Sequence, residues 1–283
     1  MSSIQTVGVI GAGTMGNGIA QACAVAGVPV IMVDISEAAV QRGLATLASS
    51  LERLVKKDKL TAEARDAALA RVSTSTDYAA LNAAQLVIEA ATEQLALKLK
   101  ILGQLDAQLP AEAIIASNTS SISITQLAAA TQRADRVIGM HFFNPVPMMA
   151  LVEVIRGLQT SDATFGAVQA LATALGKTPI EVRNAPGFVV NRLLVPMINE
   201  AFFVLQEGVS KPEDIDAAMK LGCNHPIGPL ALADLVGLDT CLAIMEVYMA
   251  QFQDSKYRPA PLLREYVAAG WLGRKSGRGV YSY

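Results

Sequence analysis

The sequence predicts an α/β chain: a mostly parallel sheet covered by helices, interrupted by an inserted helical hairpin and followed by an all-α C-terminal domain. Three observations predict it. Short apolar runs recur after helical stretches, glycines cluster at the first strand-to-helix junction, and beyond Arg183 the strand pattern gives way to helical periodicity.

The strand candidates are Val7–Ile10, Val30–Val33, Leu86–Ala90, Ile114–Ser117 and Val137–Phe142. Each is a short, β-branched or aliphatic run of the kind buried on both faces of a parallel sheet. A helix, Asn17–Ala26, follows the first. Between the second strand and Leu86 the chain is too long for one ordinary crossover, so Ser36 to Arg71 reads as two helices broken near Lys59-Leu60-Thr61, with Thr61 capping the second. Leu151–Ile155 and Ile180–Val182 read as strands around a helix, Ala163–Leu175, that stops at Gly176. Asn184-Ala185-Pro186-Gly187 is a turn-forming linker. It divides residues 1–183 from a helical domain, residues 184–283, whose breaks fall at Gly208, Gly222, Pro226-Ile227-Gly228-Pro229 and Pro259.

The first junction carries the chemistry of a Rossmann-type turn. Val7–Ile10 runs into Gly11-Ala12-Gly13-Thr14-Met15-Gly16, and Asp34 closes the second strand eighteen residues after Gly16. Gly11 permits the tight turn, Gly13 leaves room for a pyrophosphate, and Gly16 lets the helix pack on the strand. The N–H groups of the helix start then face the phosphates. A carboxylate at Asp34 accepts hydrogen bonds from both ribose hydroxyls and repels a 2′-phosphate. No basic residue follows until Arg42, so NAD is expected rather than NADP.

Composition sets limits on the rest. The chain has 283 residues, enough for two cores, and a net charge of −2, which gives no electrostatic case for nucleic acid. Residues 6–33 carry no charge, yet glycines, Pro29, Asn17 and Gln21 interrupt the run and no basic start precedes it, so neither a membrane span nor a secretory signal is expected. Cys23, Cys223 and Cys241 form no CxxC pair and sit in apolar helical surroundings. They read as buried thiols of a cytoplasmic protein.

With two histidines in the chain, the search for a proton-transfer group is short. His141 ends a strand on the edge where open α/β sheets bind ligands, whereas His225 stands in a turn, Asn224-His225-Pro226. Glu153 lies in the apolar run Leu151-Val152-Glu153-Val154-Ile155, where an ionised carboxylate needs a partner. A hairpin centred on Pro147 sets the two opposite each other, the carboxylate fixing the imidazole tautomer. Ser117-Asn118-Thr119-Ser120-Ser121 follows another strand and faces the same edge, or caps the helix Ser123–Ala130. Asn191, just inside the helical domain, could polarise a carbonyl or bridge the junction. No acidic or histidine cluster has metal-ligand spacing.

Taken together, Gly11–Gly16, Ser117–Ser121, His141-Phe142-Phe143-Asn144-Pro145, Pro186–Arg192 and Gly273-Arg274-Lys275-Ser276-Gly277 closely resemble the 3-hydroxyacyl-CoA dehydrogenase family over nearly the whole chain, and within it the stand-alone bacterial 3-hydroxybutyryl-CoA branch. The resemblance implies His141 as catalytic acid–base with Glu153 orienting it, and Ser120 and Asn191 holding the substrate's oxygen atoms. It implies cofactor contacts at Asp34, Glu93, Lys98, Ser120, Asn144 and Lys275 beside the glycine turn with Thr14 and Met15. It further implies coenzyme A contacts at Ser50 and Lys57, and a homodimer formed through the helical domain. A Lys-rich helix end such as residues 56–59 would otherwise read as a solvated face. The alternatives are an NAD-dependent dehydrogenase of a free hydroxy or sugar acid, and a non-catalytic, crystallin-like relative that kept the fold.

Overall fold

The structure, a computed structural model, describes residues 4–283. The chain divides into two compact units, the first ending at Ala185 and the second running Pro186–Tyr283.

In the first unit the order is β1 (Val7–Ile10), α1 (Thr14–Val25), β2 (Val30–Val33), α2 (Glu37–Val55), α3 (Ala62–Ala70), β3 (Val72–Ser75), β4 (Leu86–Glu89), α4 (Leu95–Gln108), β5 (Ile114–Ser117), α5 (Ile124–Ala128), β6 (Val137–Phe142), β7 (Leu151–Arg156), α6 (Asp162–Ala174) and β8 (Thr178–Arg183). The strands form one eight-stranded sheet in the order β3-β2-β1-β4-β5-β6-β7-β8. Every neighbouring pair is parallel except β6 with β7, so β7 and β8 run against the other six. Strand order reverses direction at β1, which opens a crevice at the carboxyl ends of β1 and β4. Val7, Val9, Ile88, Ala116, Ile138 and Met140 form the centre of the core with Ile19 and Cys23 of α1.

The inserted hairpin is α2 and α3, joined by residues 56–61; Ser36 and Thr61 cap the two helices by accepting from Ala39 N and Ala64 N. Two local expectations are corrected here. α1 starts at Thr14, three residues before Asn17, because the turn feeds directly into the helix. β3 is a strand the sequence reading misses: Ser73, Thr74 and Ser75 make a polar edge strand with no apolar run, and its pairing with β2 is what holds it.

The second unit contains α7 (Val190–Gln206), α8 (Pro212–Gly222), α9 (Pro229–Val236), α10 (Leu238–Phe252) and α11 (Pro261–Ala268). Proline opens α8, α9 and α11, where its missing N–H costs nothing. Gly237, at φ 103°, makes the corner between α9 and α10 that a side chain would strain. Ile198, Phe202, Leu230, Leu238 and Leu263 form its core. Among the described residues no helix is long and apolar enough to cross a membrane, and no group of His, Cys, Asp and Glu converges as a metal site. The cysteines differ from expectation at one position: Cys23 and Cys241 are buried, with burial pushing their thiols up to about 12, but Cys223 is exposed because it stands just past the end of α8.

Candidate active site

The glycine turn has the geometry a dinucleotide needs. Gly11 has φ 98°, and a Cβ there would lie 2.7 Å from the carbonyl oxygen of Ala90; a Cβ on Gly16 would lie 1.7 Å from that of Gly11. At Gly13 a Cβ would meet nothing within 4 Å, so the space above the turn is open. α1 has no side-chain cap at Gly13, which leaves the first-turn N–H groups directed at that space. Asp34 follows β2; its Oδ2 accepts from Ala12 N and its Oδ1 from Ile35 N, both at 2.7 Å. These bonds fix the carboxylate beside the turn while each oxygen keeps capacity for a further donor. The adjoining cleft, 820 Å³, is lined by Gly11, Asp34, Ile35, Tyr78, Ala91 and Ile101 among others. Burial, then the charges of Glu89 and Asp34, raise the pKa of Tyr78, so its phenol stays a neutral donor. The open turn, the uncapped helix and the placed carboxylate fit NAD.

At the same edge of the sheet, the antiparallel register sets His141 on β6 opposite Glu153 on β7. The imidazole Nδ1–H donates to Glu153 Oε2 at 2.7 Å, and both side chains are buried. This bond selects the tautomer that presents Nε2 as the proton-exchanging nitrogen. The Phe143 ring lies 4.5 Å from the imidazole, centroid to centroid, at 52°. The next peptide bond, Asn144–Pro145, is cis. Lys177 secures this turn from behind: its Nζ donates to the carbonyl oxygens of Val146, at 2.5 Å, and Met149, at 2.9 Å.

The hydroxyl cluster does not cap α5. Ser123 does that, accepting from Gln126 N. Asn118 Oδ1 instead accepts from Phe142 N at 2.8 Å, tying the segment after β5 to the end of the histidine strand. Glu93 Oε1 accepts from Thr119 Oγ1 (2.7 Å), Ser120 N (2.9 Å), Ser120 Oγ (3.1 Å), Ser121 N (3.1 Å) and Ser121 Oγ (3.0 Å). Lys98 is 1 % exposed and ion-paired with Glu89, while its Nζ stands 3.8 Å from Glu93 Oε2. Ser117 Oγ donates to the same Glu89 carboxylate at 3.0 Å. Glu89 and Lys177 were not singled out from the sequence, and Asn118 and Phe143 stood there only within motifs, with no role of their own. Glu89 carries the signal that marks Glu153, an acid within an apolar strand; Asn118 and Lys177 act through contacts distant in the chain.

The remaining expected residues fall elsewhere. Asn144 is exposed in the turn after β6. Ser50 lies on α2 and Lys57 in the exposed turn after it. In the second unit, Asn191 is in the first turn of α7, and Lys275 Nζ is paired with Asp239 Oδ1 at 2.5 Å.

Proton transfer at the edge of a dinucleotide cleft is the arrangement of a dehydrogenase. Residues 6–185 match the NAD binding domain of 3-hydroxyacyl-CoA dehydrogenase, and residues 187–283 match that enzyme's C-terminal domain. The chain belongs to the 3-hydroxyacyl-CoA dehydrogenase family. It is 55% identical over 280 residues to a probable 3-hydroxybutyryl-CoA dehydrogenase of Bacillus subtilis, covering 99% of this chain and 98% of that one. It is equally 55% identical to the 3-hydroxybutyryl-CoA dehydrogenase of Bradyrhizobium diazoefficiens, with 99% and 96% covered. The crystal structure of (S)-3-hydroxybutyryl-CoA dehydrogenase from Ralstonia eutropha superposes with a TM-score of 0.98 at 69% identity, covering 99% of both chains.

Proposed function

We propose that this chain catalyses the reversible, NAD-dependent oxidation of (S)-3-hydroxybutyryl-CoA to acetoacetyl-CoA. The observation that carries the reading is the buried His141–Glu153 pair at the carboxyl edge of the sheet, in a chain whose relatives are named for that reaction. Bound nicotinamide supplies the hydride acceptor in oxidation and the donor in reduction. His141 Nε2 takes the proton of the 3-hydroxyl, and returns it when a ketone is reduced. Glu153 holds the ring and offsets the charge of the imidazolium as it forms. Ser120 holds the substrate oxygen, and to do so its hydroxyl turns from Glu93 Oε1, which retains the Thr119 and Ser121 hydroxyls and two backbone N–H groups as donors. Family resemblance assigns Asn191 to the substrate's oxygen as well, and Glu93, Lys98, Asn144 and Lys275 to the cofactor.

Asp34 favours NAD over NADP, since a 2′-phosphate would meet its carboxylate. Ser50 and Lys57 meet the coenzyme A portion. The second unit serves as the dimer surface, a role suited to its exposed Leu193, Val209 and Leu221. We assign the protein to the cytoplasm, where three unpaired thiols stay reduced.

The test is NADH oxidation with acetoacetyl-CoA and with a ladder of longer 3-oxoacyl-CoA esters. The expected result is turnover highest at four carbons. Turnover of free acetoacetate or a sugar acid, with none of any CoA ester, overturns the reading.

A further inference from the structure

β4 and β5 leave the sheet side by side, and their last residues, Glu89 and Ser117, are paired in register. Both are buried, and so is Lys98 in the first turn of α4, which is ion-paired with Glu89. Two apolar residues of similar volume would avoid the cost of taking both charges out of water, so stability alone does not account for this pair. Its contacts run to both loops that leave the sheet at this edge. Glu89 Oε1 accepts from Ala91 N at 2.9 Å. Ser117 Oγ donates to Glu89 Oε2 at 3.0 Å and accepts from Thr119 N at 3.3 Å and from Lys98 Nζ at 3.4 Å, which uses its full hydrogen-bonding capacity.

Lys98 Nζ also stands 3.8 Å from Glu93 Oε2, too long for a hydrogen bond, so that link is Coulombic. The two carboxylates around this ammonium are not equivalent. Glu89 is buried and fixed by three donors, whereas Glu93 is exposed and grips Thr119, Ser120 and Ser121 through one oxygen, Oε1. Lys98 is therefore anchored on Glu89 and pulls on Glu93 from the other carboxylate oxygen. Without the Glu89 charge the buried ammonium would turn to Glu93 and draw that carboxylate away from residues 119–121.

We propose that Glu89 is a positioning residue for the reaction: by fixing Lys98 it sets the Glu93 carboxylate, and through Glu93 the loop that presents the Ser120 hydroxyl. Glu89 has no exposed surface, so it acts through these groups and not on a ligand. The proposal rests on the reading of Ser120 as the holder of the substrate oxygen, and the tests separate the two.

Glu89→Gln alone strands a buried ammonium, so both charges are removed together, as Glu89→Gln/Lys98→Met. By hydrogen exchange on the full chain without cofactor, the amides of Ser120 and Ser121 are expected to exchange about tenfold faster than in the parent, with those of β1 and α1 unchanged. Unchanged protection at residues 120 and 121 overturns the proposal, and so does a loss of protection throughout the first unit, which would make the pair architectural. With acetoacetyl-CoA and NADH, kcat should fall about ten- to a hundredfold through misplacement of the loop. In a Glu93→Gln background the same double change should cost little, because the link it breaks is already gone. Turnover like the parent's, or an equal loss in both backgrounds, overturns the proposal. Ser120→Ala reports on the Ser120 reading by itself: full turnover in that variant refutes the reading, while exchange at residues 120 and 121 still decides whether Glu89 sets the loop.

Discussion

Four carboxylates are buried among the described residues, two in each unit, and their main partners differ. In the first unit Glu89 on β4 and Glu153 on β7 answer to titratable side chains, Lys98 and His141, with Ala91 N also donating to Glu89 at 2.9 Å. In the second, Asp216 accepts from Leu230 N and Ala231 N at 2.8 and 2.9 Å, and Asp234 from Val280 N and Tyr281 N, both at 2.9 Å. Phenols add to both: Tyr281 donates to Asp216 at 2.8 Å and Tyr283 to Asp234 at 3.1 Å. Glycine makes the close approach feasible, since a Cβ on Gly228 would lie 2.3 Å from Asp216 Cβ and one on Gly279 would lie 2.0 Å from Asp234 Oδ1. An acid held by main-chain N–H groups is a clasp between segments, and protonating it would undo the clasp. An acid held by imidazole leaves a proton that can pass to a substrate. The partner, more than burial, separates architecture from chemistry.

The largest expected effect tests the chemical side. His141→Gln should reduce kcat by about 10²- to 10⁴-fold while NADH binding, followed by fluorescence titration, is retained. A variant that keeps most of its turnover breaks the distinction. Next comes the clasp: Asp234→Ala strands two backbone N–H groups and should destabilise the second unit by about 1–3 kcal/mol for each one left buried. Chemical denaturation measures it, and an unchanged midpoint would show that the clasp holds nothing.

Asp34 crosses the two classes, being held by backbone N–H groups yet assigned a ligand. Asp34→Ser should raise the ratio of NADPH to NADH use by about tenfold, through removal of a like charge from the site of the 2′-phosphate. An unaltered ratio would return Asp34 to the architectural class. The smallest effect is a pH dependence. Burial, then the hydrogen bond to Asp216, raises the pKa of Tyr281 above the ordinary phenol value. The unfolded chain thus gives up this proton first, and stability present below about pH 10 should fall as pH rises beyond it. Tyr281→Phe should flatten that alkaline loss in thermal denaturation.

What could be read in the sequence was whatever local patterning determines. The strands near the turn are uninterrupted aliphatic runs, and the glycines at 11, 13 and 16 have no other reason to stand together after one. The pairing of His141 with Glu153 was legible because one charged residue interrupts an otherwise apolar strand and the turn between them is short. β3 was not, because Ser73, Thr74 and Ser75 have their place through pairing with β2 rather than through any pattern of their own. Glu93 bonds to residues 26 to 28 positions away, and Lys177 reaches back to Val146 across 31. Contacts of that span depend on which helix ends beside which turn, and spacing along the chain carries no trace of them.

The bare start of α1 has a consequence outside catalysis. A helix whose leading amides have no internal acceptor is completed by whatever anion docks there, so the coenzyme also serves as a fold ligand. Heat resistance and protease survival of the first unit should then rise with the dinucleotide supply, and a cell starved of that coenzyme would clear this protein sooner.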